Sequence, residues 1–413
     1  MRLLHFADLH LGMENFGTLD VATGVSTRVL DYLRVFDQVV SFAIEERVDA
    51  VLFAGDAFKN RDPNPTIQRE FAKRIHRLSS AEVPTVILTG NHDLPSITIR
   101  ATPIDIYQTL EVPFVQTART PDTLVVDTAA GPLQVVALPW LTRNALFGAE
   151  ELRGKDQDEL NRMTGEEIGQ ILREQIDQLD PTIPAVLLAH LSIEGAKTGV
   201  ERSIMLGNDL VVASEALGVS AFDYVALGHI HQHQVLNAHP PVVYSGSLER
   251  IDFGEETETK GFVVVDIDLE RERPMRADFR FHPVAARPFV TIRVQATGEE
   301  PLLEVERQIR ARRIDLAGAV VRVLVDLPPE RHNAIRPADV RGLLQEFEVA
   351  SVAQVSLQTD SQLRPRIELS PEESLSPMTA LTRWLELRDL PDEQRKAILE
   401  HGRRIIEAGQ TDN

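Results

Sequence analysis

The residues best suited to chemistry in this 413-residue chain each follow an apolar run. Asp8 and His10 come after "LLHF", Asp56 after "AVLFAG", and Asn91, His92 and Asp93 after "TVILTG". His190 closes "AVLLAH", and His229 and His231 alternate in "ALGHIHQHQ", with His233 next in the alternation. Imidazoles, carboxylates and an amide oxygen are ligands for manganese, iron or zinc. The chain has no cysteine, which excludes disulfides, thiolate metal sites and thiol nucleophiles together. A ligand set of this size could hold two cations about 3.5–4 Å apart with a carboxylate between them. Such a pair lowers the pKa of water and clamps an in-line displacement at phosphorus. Taken singly, each residue has a plainer reading: Asp8 as a turn cap, "GD" and "GN" as turn dipeptides, His190 as a core histidine, "GHIHQH" as a polar run. Alternation puts His229, His231 and His233 on one side of an extended chain, so spacing alone leaves open which of them are ligands.

These residues need a scaffold that brings distant segments to one edge. "LLHFA", "DAVLFAG" and "PTVILTG" read as strands, and 28–46 and 66–79 as helices, the second opened by Pro65. Such alternation implies a largely parallel sheet covered by helices, and ligands bind such sheets at the carboxyl ends of the strands. "LQVVALP", "AVLLAHL", "YVALGHI" and "GFVVVDIDL" add strands, and 143–179 reads as a charged helical insertion. The fold class is therefore α/β, with two sheets packed on each other and helices outside. From Pro288 the order strand, helix, strand, helix, strand marks a small separate α/β unit. The expected domains are 1–280, 285–360, a polar linker at 361–376 and a helical segment at 377–413, broken at Pro391. Met378, Leu381, Trp384, Leu385 and Arg388 share one helical face there, and Ile398, Leu399, Ile405 and Ile406 another.

Composition bounds the rest. Hydrophobic residues make up 43% and charged residues 26%, as in ordinary globular proteins. No uncharged run is long enough to span a membrane, the first ten residues lack the apolar core of a leader, and the absence of cysteine fits a reducing cytoplasm. The net charge of −20 runs against the basic footprint of most nucleic-acid binders, but clustered ligands contribute negative charge that cations cancel locally.

In order along the chain, "DLH", "GD", "GNHD", a lone His and "GHIH" resemble the motifs of the calcineurin-like metallophosphoesterase superfamily. "ADLHLG", "GDAF", "LGHIHQHQ" and "YSGSLERIDFGE" narrow the resemblance to its double-strand-break repair nucleases, strongly over the first 280 residues and by architecture beyond. The resemblance implies two divalent cations, manganese foremost. Asp8, His10 and His231 would hold one, Asn91, His190 and His229 the other, and Asp56 would bridge them. His92 would stabilise the phosphorus centre or protonate the leaving oxygen, and Asp93 would orient its ring. His233 has no place in the motif. Some members carry a histidine three residues after the bridging Asp; this chain has Lys59, which can hold a phosphate but cannot act as an imidazole. Tyr244, Ser245, Ser247 and Arg250 of "YSGSLER", with Lys59 and Arg61, are candidates to contact a phosphate backbone, and Arg143, Lys197 and Arg202 could extend a basic rim.

The same resemblance implies a DNA nuclease acting on duplex ends, hairpins and single strands. It also implies a homodimer, a cap at 285–360, and an SMC-like ATPase partner docked on the C-terminal helices, with the protein at the nucleoid. The chain itself has no GxxxxGK[ST] loop for ATP. Two rivals remain: a phosphatase or cyclic-nucleotide phosphodiesterase of the same superfamily, and a DNA-end scaffold without catalysis.

Overall fold

The computed structural model describes residues 1–94, 100–199, 211–331, 333–359, 381–382, 385 and 392–411. Strands β1 (Arg2–Phe6), β2 (Ala50–Phe53), β3 (Thr85–Leu88) and β4 (Val115–Ala118) lie parallel, side by side. Helices α1 (Thr27–Glu45) and α2 (Pro65–Ser80) make the first two crossovers. Each begins where the sequence supplies a cap. The Ser26 side chain accepts from Arg28 N–H and that of Asn64 from Ile67 N–H, with Pro65 occupying the first turn of α2. Val29, Phe36 and Val40 of α1 and Ile67, Phe71 and Ile75 of α2 pack on the outer face of this sheet.

After the short α3 (Asp105–Thr109) and β4, the chain crosses to a second sheet. Its strands are β5 (Asp122–Thr128), β6 (Gly131–Leu138), β7 (Ala185–His190), β10 (Tyr224–Gly228), β11 (Gln234–Ala238) and β12 (Pro241–Tyr244). A minor pair, β8 (Ser192–Ile193) and β9 (Val211–Val212), lies beside them. The chain then returns to the first sheet as β13 (Gly261–Ile267) and β14 (Ala277–Pro283), with β13 antiparallel to β1. The orders are β14-β13-β1-β2-β3-β4 and β11-β12-β10-β7-β6-β5. Strand alternation divides the apolar residues. Leu3, Leu52, Val86, Val135, Leu188, Ala226 and Val265 fill the space between the sheets, while Leu4, Val51 and Phe53 face the outer helices.

The expected helical insertion forms three pieces: α4 (Arg143–Leu146), α5 (Ala149–Leu152) and α6 (Gln157–Ile176). Phe147 and Arg153 are extended and Gly154 has φ of 76°, so the run breaks twice before Asp156 caps α6. Beyond the sandwich, β15 (Phe289–Gln295), β16 (Val320–Leu327) and β17 (Ser351–Thr359) form a parallel sheet in that order. With α7 (Pro301–Ala311), α8 (Arg313–Leu316) and α9 (Pro337–Leu344) they enclose a core of their own around Ile292, Val305, Ile309, Val323 and Leu344. The C-terminal helix α10 spans Asp392–Thr411. The linker 361–376 and the side chains of Met378, Trp384 and Arg388 lie outside the described residues, as does Arg202.

Candidate metal centre

Every strand that was expected to end in a polar group delivers it to the same edge of the sandwich. Asp8 and His10 follow β1, Asp56 follows β2, Asn91 and His92 follow β3, His190 ends β7, and His229 and His231 follow β10. The backbone there is forced into unusual conformations. Asp8, His10, Asp56 and His229 have φ of 51°, 45°, 58° and 96°, a region that non-glycine residues avoid. Strain of this kind persists only where surrounding contacts hold it, and it collects at functional sites. Glycines permit the close approach: a Cβ on Gly90 would stand 2.1 Å from Asp56 Oδ1, and one on Gly228 would stand 2.1 Å from the Ala54 carbonyl.

Among the described residues the candidate ligand atoms form three overlapping groups, one joining His10, Asp56 and His92 and two sharing Asp8. Those of Asp8, His10 and His231 lie within 4.8 Å of one another, as do those of Asp8, Asp56 and His190. His10 Nε2 and His231 Nε2 face each other at 3.0 Å. Asp56 Oδ2 lies 3.7 Å from His10 Nε2 and 3.4 Å from His190 Nε2, so this carboxylate stands between the two imidazoles. On the far side, Asn91 Oδ1 is 3.0 Å from His190 Nε2 and 3.2 Å from His229 Nδ1. All but Asn91 and the adjacent His92 are buried.

Electrostatics show what this arrangement attracts. Burial alone would raise the Asp56 carboxyl, but His190 and the other imidazoles outweigh it and hold the carboxyl well below the ordinary range. Burial likewise opposes the charged form of His190, yet Asp56 and Asp8 lift its pKa to about 9. This buried cluster favours a proton on its Asp56–His190 pair, although burial pushes His10 beside it well below the ordinary imidazole range. The cluster's oxygen and imidazole donors fit divalent cations, whose binding would release that proton.

Further contacts fix the donors. His190 Nδ1–H donates to the Ala54 carbonyl at 2.6 Å, which turns Nε2 toward Asp56 and Asn91. His231 Nδ1–H donates to Glu255 Oε1 at 2.8 Å, which turns Nε2 toward His10. The backbone N–H of His229 donates to Asp8 Oδ1 at 2.9 Å. Trp140 walls the far side, its ring centroid 4.8 Å from that of His229. Glu255 and Trp140 were not singled out in the sequence; only the folded chain brings them to the site.

Several expectations need correction. Asp93 does not touch the His92 ring. It is fully buried and accepts from the backbone N–H groups of Ala57, Phe58 and Gly90, tying the loops after β2 and β3 together. The His92 ring is oriented by the Lys59 carbonyl, to which Nδ1–H donates at 2.8 Å. Tyr244 is buried, and its hydroxyl donates to the Leu191 carbonyl and accepts from Ile193 N–H, bracing the segment just past His190. Ser245 and Ser247 are also buried, and Ser247 N–H donates to the His231 carbonyl. Arg250 spends its guanidinium on the carbonyls of Glu255, Glu258 and Arg287. "YSGSLER" therefore backs the ligand loop from behind and presents none of these side chains to a substrate. His233 turns away and stacks on Phe281 at 4.1 Å. Lys59 and Arg61 are exposed beside the site, whereas Arg143 pairs with Asn161 of α6.

Residues 1–233 match the calcineurin-like phosphoesterase family, more than half of the 413 residues, and the chain belongs to that family. Within it, the chain is similar to the SbcD component of the nuclease SbcCD from Bacillus subtilis, 29% identical over 271 residues, 64% of this chain and 66% of that protein. The Escherichia coli K12 protein of the same name is 25% identical over 382 residues, covering 85% of this chain and 91% of its own. "DNA double-strand break repair protein Mre11" of Aeropyrum pernix is 29% identical over 280 residues, 66% of this chain and 59% of its own. The chain thus spans just under two thirds of the Bacillus relative and most of the Escherichia one. Among the described residues, no helix is long and apolar enough to cross a membrane.

Proposed function

We propose that this chain is a manganese-dependent DNA phosphodiesterase. It would act as an exonuclease on duplex ends and as an endonuclease on hairpins and single strands. The observation that carries the reading is the convergence of seven ligand candidates and His92 at one edge of the sandwich. The similarity to the Escherichia coli K12 protein covers 85% of this chain, well beyond the 1–233 matched by the family. Asp8, His10 and His231 would hold one cation, Asn91, His190 and His229 the other, with Asp56 between them. Two such cations supply an activated water and neutralise phosphate charge.

The chain's own residues do the rest. With Nδ1 committed to the Lys59 carbonyl, His92 offers Nε2 to a phosphate at the half-exposed mouth of the site. From there it would stabilise the charge building on phosphorus or give a proton to the leaving oxygen. Lys59 and Arg61 lie where they can hold the flanking strand. The reading includes an SbcC-like ATPase partner engaged through the C-terminal helices, a homodimer that sets two sites near one DNA end, and action at the nucleoid.

Cleavage of an end-labelled linear duplex in manganese tests it, with folded His92→Ala and Asp56→Ala variants alongside. Metal-dependent degradation that both variants lose is the expected result. A folded, manganese-loaded chain that leaves DNA intact even with its ATPase partner, while hydrolysing p-nitrophenyl phosphate or a cyclic nucleotide, would replace the nuclease by a small-substrate phosphoesterase.

A further inference from the structure

The turn at 252–256 joins two parts of the molecule that the sequence keeps apart. Asp252 caps it, its side chain accepting from Gly254 N–H. The next two acidic residues then reach in opposite directions. Glu255 is 1% exposed and points into the sandwich, where Oε1 accepts from His231 Nδ1. Its Oε2 lies 2.8 Å from Lys260 Nζ and accepts from Ile251 N–H at 3.1 Å. Lys260, 2% exposed, also donates to the His231 carbonyl at 3.2 Å. Glu256 points the other way, into the small domain. Its carboxylate accepts from the backbone N–H of Thr291 at 2.7 Å and from the Thr291 hydroxyl, in the middle of β15.

The turn is also gripped from both sides. Phe253 packs on Phe289 of the small domain, ring centroids 4.9 Å apart, and on Phe16 of the loop that follows His10, at 5.6 Å. The Arg322 guanidinium of β16 covers the Phe253 ring at 4.3 Å and donates to the Thr291 hydroxyl. Arg250 holds the carbonyls of Glu255 and Glu258 and, beyond them, that of Arg287 at the junction of the domains. A shift of β15 relative to the sandwich therefore pulls on Glu256, and through a single peptide unit on the carboxylate that orients His231.

We propose that the turn 252–256 is a strap through which the position of the small domain sets the orientation of His231, with Glu255 the positioning residue and Glu256 the tie to the domain. The proposal deepens the reading of the metal centre and rests on it. A carboxylate on the second ring nitrogen fixes the tautomer, aims the first nitrogen and raises its basicity, and loss of such a partner weakens metal binding about 10- to 100-fold. A tie that acts only through that carboxylate should have a smaller effect on the same cation.

Manganese titration of the full chain, with free Mn2+ followed by electron paramagnetic resonance, reads the binding events separately and needs no DNA. Glu255→Gln is expected to weaken one of them roughly 10- to 100-fold and to leave the other within about twofold. Glu256→Ala, and independently the nearly isosteric Thr291→Val, are expected to weaken that same event by roughly threefold or more. Their effect should vanish when Glu255 is already Gln, because the path runs through it. Unchanged binding in Glu255→Gln overturns the positioning role. Unchanged binding in both Glu256→Ala and Thr291→Val, or full additivity with Glu255→Gln, overturns the strap. A folded wild-type chain that takes up no manganese removes the metal centre itself, an outcome distinct from failure of the strap. If Glu255→Gln does not fold, the Glu256 and Thr291 variants decide alone.

Discussion

The backbone N–H of His92 donates to Asp56 Oδ1 at 2.8 Å, while Asp56 Oδ2 faces the imidazoles of His10 and His190. One carboxylate thus places the candidate acid and draws the ligands together, and the two functions are separable. His92→Gln keeps the backbone N–H and every ligand. It should retain manganese binding while lowering cleavage by roughly 10²- to 10⁴-fold; single-turnover rates at saturating metal would check this, and a parallel loss of metal would make His92 a ligand. His5 offers a test of burial itself. Its Nδ1 faces the Tyr224 hydroxyl at 2.9 Å between the sheets, and burial pushes its pKa down to about 3. The folded value lies below the unfolded one, near 6.5. This residue's contribution to stability is therefore complete above about pH 6.5 and is lost as pH falls from there toward 3. In an NMR titration the His5 ring should stay neutral down to pH 5, and a midpoint near 6.5 would show that water or a counter-charge reaches it. At this scale the candidate ligands were legible because each follows a strand whose end the apolar pattern marks. Glu255 was not, since nothing in "DFGEETE" separates it from Glu256 or Glu258. The role expected of Asp93 failed because neighbours in a turn point apart: His92 faces the mouth and Asp93 the interior.

At the scale of elements, the site exists because two sheets close on each other at one edge. The end of β10 meets the end of β2 so tightly that a Cβ on Gly228 would stand 2.1 Å from the Ala54 carbonyl and 3.0 Å from Ala7 Cβ. These obstacles are backbone and core, and cannot swing aside. Gly228→Ala should cost about 1–3 kcal/mol by overpacking, and it should weaken manganese binding beyond that, because Ala54 also holds the His190 ring. Gly165→Ala is the control: it lies in α6 with open space around its Cβ position, and should be neutral or stabilising by up to about 1 kcal/mol. Thermal melts and metal titrations of the pair would separate a local wedge from a general intolerance of alanine. The strands and helices that build this edge were readable from apolar runs, caps and Pro65. The edge strands β5, β11 and β14 were not, because each carries exposed positions that break a continuous apolar run. The insertion was read as one helical run because its composition is uniformly helix-forming; Gly148 and Gly154 divide it.

For the whole molecule, a net charge of −20 must be reconciled with the proposed polyanionic substrate. Two salt effects oppose each other. Added salt screens repulsion between an acidic surface and DNA, which favours binding, and it weakens the counterion release that local cation–phosphate contacts supply, which disfavours binding. The charge of the site is itself local: Asp8 and Asp56 are buried, and bound cations would cancel them where a phosphate must approach. Lys59 and Arg61 stand exposed on the loop just beyond Asp56, where they add local positive charge for the proposed DNA substrate. Local contacts should therefore govern. With about four phosphates engaged, cleavage at subsaturating duplex should fall on the order of a hundredfold between about 50 and 200 mM salt. Lys59→Gln with Arg61→Gln should make that dependence shallower by about two phosphates' worth of slope, with manganese binding unchanged, since neither side chain is a proposed ligand. Rates that stay flat or rise with salt would mean that repulsion from the acidic surface dominates and that these two cations do not contact the phosphate backbone.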